Sequence, residues 1–144
     1  MLYNIIQAKL LFLLVLLLTG LESQGQSTLR IKVSDIETNR GKVIVALFQD
    51  EENWLEQPYQ EIILATDKDF GTAEFDVPFG QYAVSIYQDL NTNSELDRNF
   101  LGIPKEPVGF GNNHKPFGSP KFESSLINHS ATSAPQEIKL YEVL

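Results

Sequence analysis

The sequence predicts an all-β protein, an antiparallel sandwich of two sheets with about seven strands. Apolar and polar side chains alternate in several short segments, which is the pattern of strands that bury one face. These segments recur roughly every ten to fifteen residues, with turn-forming Gly, Pro, Asn and Asp between them. After residue 25, no segment keeps a helical apolar period for more than about two turns.

Each predicted strand follows from this alternation or from a continuous apolar run. Leu29, Ile31 and Val33 share one face of the first strand. The second strand is apolar almost throughout, as is typical of a strand in a sandwich interior. The predicted strands cover residues 28–34, 42–49, 61–65, 71–77, 81–87, 121–126 and 137–143. Their number and spacing favour an immunoglobulin-like or transthyretin-like sandwich, and a small barrel or a jelly roll stays an alternative because it shows the same alternation.

The sequence also predicts the structure of two segments that connect these strands. The sequence Pro78-Phe79-Gly80 indicates a tight turn that joins strands 71–77 and 81–87 as a hairpin. Residues 50–58 break the alternation, and we expect a short helical turn or loop there that places Trp54 at the edge of the core.

The chain begins with a segment that resembles an export signal. Leu10 to Leu18 form an uninterrupted apolar run after Lys9, and this run is too short for a membrane-spanning helix of about 20 residues. Small residues at Ser23 and Gly25 predict cleavage after Gly25. We therefore expect a signal peptide at 1–25, a single sandwich domain at 26–144, and a bacterial protein that is periplasmic or secreted, without stable membrane insertion after cleavage.

Composition excludes several classes of function. The formal charge is −8, with 19 acidic and 11 basic residues, so a nucleic-acid backbone would be repelled. The chain contains no cysteine, which excludes disulfides, thiol catalysis and thiolate metal sites. The expected partner is an unknown protein or glycan of the cell envelope.

Oxygen-bearing side chains follow the strand 81–87 at every second position, and this spacing suits calcium. In a calcium loop of this type, the first, third, fifth and ninth side chains and the seventh backbone carbonyl surround one ion. Glu106 would fold back to supply further oxygens. The candidate metal ligands are Asp89, Asn91, Asn93, Glu95 through its carbonyl, Asp97 and Glu106.

Two positions depart from this calcium pattern. Ser94 stands where the sharp turn usually has glycine, and Phe100 stands where a helix-loop-helix site has a bidentate glutamate. We therefore expect modest affinity, near the extracellular class of about 10⁻⁴ to 10⁻³ M. A solvated turn of Asn and Asp residues without an ion is the alternative interpretation.

The stretch 89–120 is long for a segment without regular secondary structure, and such segments are often functional when they are ordered. Its aromatic residues are expected to fix it to the sandwich. They are Phe100, Phe110, Phe117 and, just beyond it, Phe122. The stretch is either a cap on one end of the sandwich or a binding surface.

An ordered series of short motifs resembles a known bacterial family. The series runs from Gly80-Gln81-Tyr82-Ala83-Val84 through Asp89-x-Asn91-x-Asn93 and Gly102-Ile103-Pro104-x-Glu106 to Gly109-Phe110-x-Asn112-Asn113. It is similar to the domain of unknown function 2141 family over about Leu29 to Tyr141. The resemblance implies an exported sandwich domain and implies no reaction.

Three functions are compatible with these features. The first is an exported noncatalytic binding or accessory domain with a calcium-stabilised loop. The second is a metal-assisted hydrolase that uses loop carboxylates and His114, although the two histidines lack metal-ligand spacing and no G-x-S-x-G motif is present. The third is a structural component of an envelope assembly that pairs through exposed sheet edges. We expect the first, and therefore not an enzyme.

Overall fold

A computed structural model describes residues 26–144, and the predicted signal peptide at 1–25 lies outside them. The described residues form eight strands and two short 3-10 turns. None of the helical segments in this range is long and apolar enough to cross a membrane. The strands are β1 (Gln26–Ser34), β2 (Lys42–Phe48), β3 (Gln60–Leu64), β4 (Phe70–Pro78), β5 (Gly80–Asp89), β6 (Val108–Phe110), β7 (Leu126–His129) and β8 (Gln136–Lys139).

The smaller sheet has three strands in the order β4-β1-β8. β1 and β4 are antiparallel, and Leu29 lies opposite Phe75. β1 and β8 are parallel, which departs from the fully antiparallel prediction. Side chains on the outer face remain in water, where Arg30 donates to Glu74 at 2.8 Å.

The larger sheet has five strands, with β3, β2 and β5 in that order. On its other side β5 pairs with two short strands in succession. β7 pairs with Gly80 to Ala83, and β6 pairs with Ser85 to Tyr87. The predicted all-β class and two-sheet arrangement are therefore confirmed, with eight strands rather than about seven.

The core fills the space between the two sheets with aliphatic side chains and two aromatic rings, Phe75 and Tyr82. Burying each of these side chains contributes about 1.5–3 kcal/mol relative to leaving it in water. The fully buried members with the largest side chains are Phe75, Leu29, Ile31, Leu47, Ile86 and Ile138.

A second apolar cluster covers the outer face of the larger sheet. Ala46, Phe48 and Ala83 lie there beneath Trp54 and neighbouring apolar side chains. The rings of Phe48 and Trp54 are 4.9 Å apart in an edge-to-face arrangement. β2 is thus buried on both faces, which explains its continuous apolar sequence.

The predicted hairpin is wrong. β4 pairs with β1 in the smaller sheet, whereas β5 pairs with β2 in the larger one, so the turn at Pro78–Gly80 carries the chain from one sheet to the other. Alternation did not distinguish the two outcomes, because strands facing each other across a sandwich bury apolar faces just as paired strands do.

The predictions for the second half of the chain were only partly right. The predicted strand at 121–126 is wrong: a 3-10 turn occupies Glu123–Ser125, and the strand β7 begins at Leu126. β6 lies inside the stretch predicted to lack regular structure. β6 contains Gly109, where an added Cβ would lie 3.1 Å from Ile138 and 3.2 Å from the carbonyl of Lys139. Glycine is used there because β8 approaches closely.

Candidate functional site

The first site element is the Asp/Asn loop, residues 89–97, which leaves the end of β5. Asp89 is fully buried, and its carboxylate accepts two backbone hydrogen bonds. The amide of Asn93 donates to Oδ1 at 3.1 Å, and that of Ser94 donates to Oδ2 at 2.8 Å. Ser94 has a φ of 67°, so this carboxylate stabilises a left-handed turn that serine adopts at a cost.

The exposed side of the same loop is built around Asp97. The amide nitrogen of Asn91 donates to its Oδ2 at 2.6 Å, and that of Asn93 donates to its Oδ1 at 3.1 Å. The amide oxygens of both asparagines accept backbone N–H groups within the loop. The structure therefore brings Asp89, Asn91, Asn93 and Asp97 together, while calcium binding stays a prediction.

Glu106 does fold back onto the loop, as expected from the sequence, and it binds backbone rather than other side chains. Its Oε1 accepts from Leu90 N at 2.8 Å, and its Oε2 accepts from Asp97 N at 3.0 Å. The side chain of Glu95 is exposed, and its backbone amide donates to Asn93. Glu106 thus ties both ends of the Asp/Asn loop to the start of β6.

The electrostatic potential at the loop is negative. Burial, followed by the charges of Glu61, Asp89, Glu106 and Glu95, raises the pKa of Tyr87 above its ordinary value of 10.0. One cation is present, because Lys42 Nζ lies 3.8 Å from Asp89 Oδ2 and 2.9 Å from Ser94 Oγ.

The two histidines have separate surroundings. His129 is buried, its Nε2 lies 3.1 Å from the carbonyl oxygen of Ser27, and its ring packs against Phe79 at 5.2 Å. His114 follows a 3-10 turn, and its backbone amide donates to Gly111. Within residues 26–144, no three His, Asp or Glu side chains are grouped so that they could hold a metal ion together.

The second site element is a groove of about 880 Å³ on the outer face of the larger sheet. Ser85 of β5 and Phe110 of β6 contribute to its lining from the sheet. Two loops also line it: residues 96–104, called the first rim loop, and residues 115–120, called the second rim loop. Tyr141 and residues 142–144 also line the groove. The sequence did not predict it, because its lining comes from six separate parts of the chain.

Both rim loops are held in place by hydrogen bonds. Asn99 Oδ1 accepts from Leu101 N at 2.9 Å and from Ile103 N at 3.1 Å, which folds the first rim loop into a compact turn. On the second, the carbonyl of Pro120 accepts from Trp54 Nε1 at 2.9 Å. Asn99 was missed by the sequence analysis, although an asparagine three residues before a glycine is a recognisable turn signal.

The aromatic residues expected to fix the long stretch divide into two pairs. Phe110 is buried, and Phe122 packs against Trp54 with ring centroids 5.9 Å apart, as predicted. Phe100 and Phe117 instead project into water, and the prediction is wrong for them. They lie on the two rim loops, where no strand or core residue covers them.

Comparison with known proteins identifies a family. A family model described as an uncharacterized protein conserved in bacteria (DUF2141) matches residues 31–137. This range includes the Asp/Asn loop, Glu106 and most of the groove. No curated protein sequence and no solved structure matches the chain.

Proposed function

We propose that this chain, which belongs to the DUF2141 family of bacterial proteins, is a noncatalytic binding or accessory domain whose ligand occupies the groove. The observation that carries the proposal is the groove itself. Its volume of about 880 Å³ lies in the range of roughly 300–1,000 Å³ that is usual for ligand sites. Apolar side chains line most of it, with a few polar groups such as Ser85, Arg98 and Lys115.

The hydrogen bonds around the groove support a binding role. Glu106 and Asn99 fix the chain before and within the first rim loop, and Trp54 fixes the second. A ligand would therefore meet loops that are already ordered, so less conformational entropy is lost on binding. In this proposal the Asp/Asn loop supports the groove wall.

The other proposed roles have less support. The metal-assisted hydrolase needs free loop carboxylates, and both oxygens of Asp89 already accept backbone hydrogen bonds. An envelope component that assembles through sheet edges is compatible with the exposed Ile63 on the outermost strand β3. The binding proposal also includes export of the protein to the periplasm or beyond. Its ligand there would be a protein or a glycan.

Calcium in the Asp/Asn loop is a separate proposal. The donor set suits a hard cation, because Asp97 carries a carboxylate at the exposed side, and Asn91 and Asn93, whose amide nitrogens donate to it, each carry an amide oxygen as well. Rotation of the two asparagine amides would turn their oxygens toward the ion in exchange for their present hydrogen bonds from the N–H groups of Asn93 and Glu95. The role of calcium would be to fix the loop.

Filling the groove tests the binding proposal. The probe is 1-anilinonaphthalene-8-sulfonate, an apolar anion whose fluorescence rises in apolar sites. Ser85→Trp places an indole in the groove, and Thr72→Trp on the exposed face of β4 is the matched control. We expect the wild type and the control to bind the probe and Ser85→Trp to bind it at least fivefold more weakly.

A second measurement uses the wild-type protein alone, so its result does not depend on whether the variant folds. In wild-type protein, the probe should shift the backbone amide resonances of Ser85, Ile103 and Phe110 more than those of β1. Equal binding by all three proteins, or amide shifts spread over the smaller sheet, would contradict the groove as the binding site.

A further inference from the structure

The segment that forms the groove walls differs in charge from the rest of the protein. Between residues 98 and 121 the only acidic residue is Glu106, in a chain of net charge −8. Glu106 is buried and bound to backbone amides. The basic residues of the segment are all exposed, and none takes part in the three ion pairs of the described residues; they are Arg98, Lys105, Lys115 and Lys121.

The same segment carries the most exposed aromatic side chains of the described part of the chain. Phe100 is 95% exposed, Leu101 is 67% exposed, and Phe117 is fully exposed. Leu101 and Phe117 both line the groove, together with Arg98 and Lys115. Large apolar side chains that project beside cations form an amphipathic surface, which we call the docking face.

We propose that the docking face binds reversibly to an anionic lipid bilayer. Phe100, Leu101 and Phe117 would enter the interfacial region, while the basic side chains of the segment would contact lipid headgroups. This inference goes beyond the proposed function, because it concerns the exposed surface of the rim loops and a different class of partner, although some of these residues also line the groove.

Charge distribution favours a bilayer as the partner and sets the orientation. Outside residues 98–121 acidic residues outnumber basic ones, so an anionic surface attracts this segment more than it attracts the rest of the protein. The apolar side chains project from two separate loops. A fluid interface accepts such projections wherever they lie, whereas a protein partner needs a matched pocket for each one.

Vesicle co-sedimentation tests the proposal. The protein is the mature chain from Gln26, which contains both sheets, because the apolar segment before it would bind lipid by itself. Vesicles contain phosphatidylcholine alone or with about 30% phosphatidylglycerol. We expect at least tenfold stronger partitioning to the anionic vesicles at low salt, and loss of most of this difference at high salt.

Paired variants identify the residues responsible. Phe100→Ser with Phe117→Ser should weaken binding at least tenfold, whereas Ile63→Ser with Phe70→Ser, which removes exposed apolar side chains elsewhere, should not. Lys115→Gln with Lys121→Gln should weaken binding roughly 30-fold, because each cation near such a surface contributes about a factor of five. Lys32→Gln with Lys68→Gln is the charge control and should bind as the wild type does.

Three outcomes would overturn the proposal. These are no preference for anionic vesicles, equal loss in the test and control pairs, or binding to immobilised polyglutamate without binding to vesicles. Ser85→Trp separates this proposal from the previous one. Blocking the groove should weaken probe binding at least fivefold and leave vesicle binding intact.

Discussion

Glu106 shows how a residue predicted as a metal ligand also has a structural role. Its carboxylate accepts the backbone N–H groups of Leu90 and Asp97, which are separated in sequence and would otherwise lack partners at the base of the loop. Asp89 does the same for Asn93 and Ser94. Acidic side chains in turns bind backbone donors as readily as they bind cations, so the sequence alone left both interpretations open.

Glu106→Gln should lower the free energy of unfolding by about 2 kcal/mol. Glutamine replaces one acceptor oxygen with a donor, so the N–H of either Leu90 or Asp97 faces another donor in a buried position, and an unsatisfied buried group costs about 1–3 kcal/mol. The measurement is urea denaturation at neutral pH in the presence of a chelator. The chelator removes any contribution of calcium.

Glu95→Gln is the matched control for this prediction. It removes a carboxylate of the same chemistry nearby, but that side chain is exposed, so its effect should lie within about 0.5 kcal/mol. Similar stability of the two variants would show that Glu106 does not hold the loop.

At the level of elements, calcium binding by the Asp/Asn loop should change the stability of the protein by a measurable amount. With a dissociation constant near 1 mM, calcium at about 10 mM should stabilise the protein by about 1.4 kcal/mol and raise the melting temperature by roughly 5 °C. Asp97→Asn should abolish this rise, because it removes the charged oxygen at the exposed side of the loop. Thermal melting with and without calcium measures both.

Glu95→Gln is again the control, for a different reason. Glu95 is predicted to contribute its backbone carbonyl to the ion, so loss of its side-chain charge should leave most of the calcium response. No rise in melting temperature of the wild type at 10 mM calcium, or an equal rise in Asp97→Asn, would leave the loop as a turn without an ion.

Elements with strong local patterns were predicted, and elements that depend on distant partners were not. β1, β4 and β5 alternate, and β2 is apolar throughout, so their positions follow from the sequence. β6 has only three residues, including Gly109, and is a strand because β5 pairs with it. The choice between hairpin and crossover at Pro78–Gly80 likewise depends on which strands pair far along the chain.

The same limit applies to the candidate site. The position of the Asp/Asn loop followed from residues close together in sequence, and the structure places their side chains in contact. The groove combines residues near 55, 85, 100, 109, 117 and 141, which only the completed fold brings together. The exposure of Phe100 and Phe117 was not predictable, because an aromatic residue in a loop has the same local sequence whether it packs or projects.

At the level of the whole molecule, three tyrosines give stability the same dependence on pH. Burial raises the pKa of Tyr82, Tyr87 and Tyr141 above the ordinary value of 10.0, and negative charges add to this for Tyr87. A raised pKa in the folded state means that the fold favours the neutral phenol. Their contribution to stability is therefore fully present below pH 10.

We expect the free energy of unfolding to fall as the pH rises above 10, because the unfolded chain then loses phenolic protons that the folded chain retains. Urea denaturation at pH 9, 10 and 11 measures this slope. The double variant Tyr87→Phe with Tyr141→Phe keeps both rings, including the one that lies 4.8 Å from Lys115 Nζ, and removes two of the three ionisable groups. Its stability should decline less steeply than that of the wild type over the same range. Each deleted phenol removes one proton that unfolding would release at high pH. If the free energy of unfolding declined equally with pH in the two proteins, groups other than these tyrosines would determine alkaline stability.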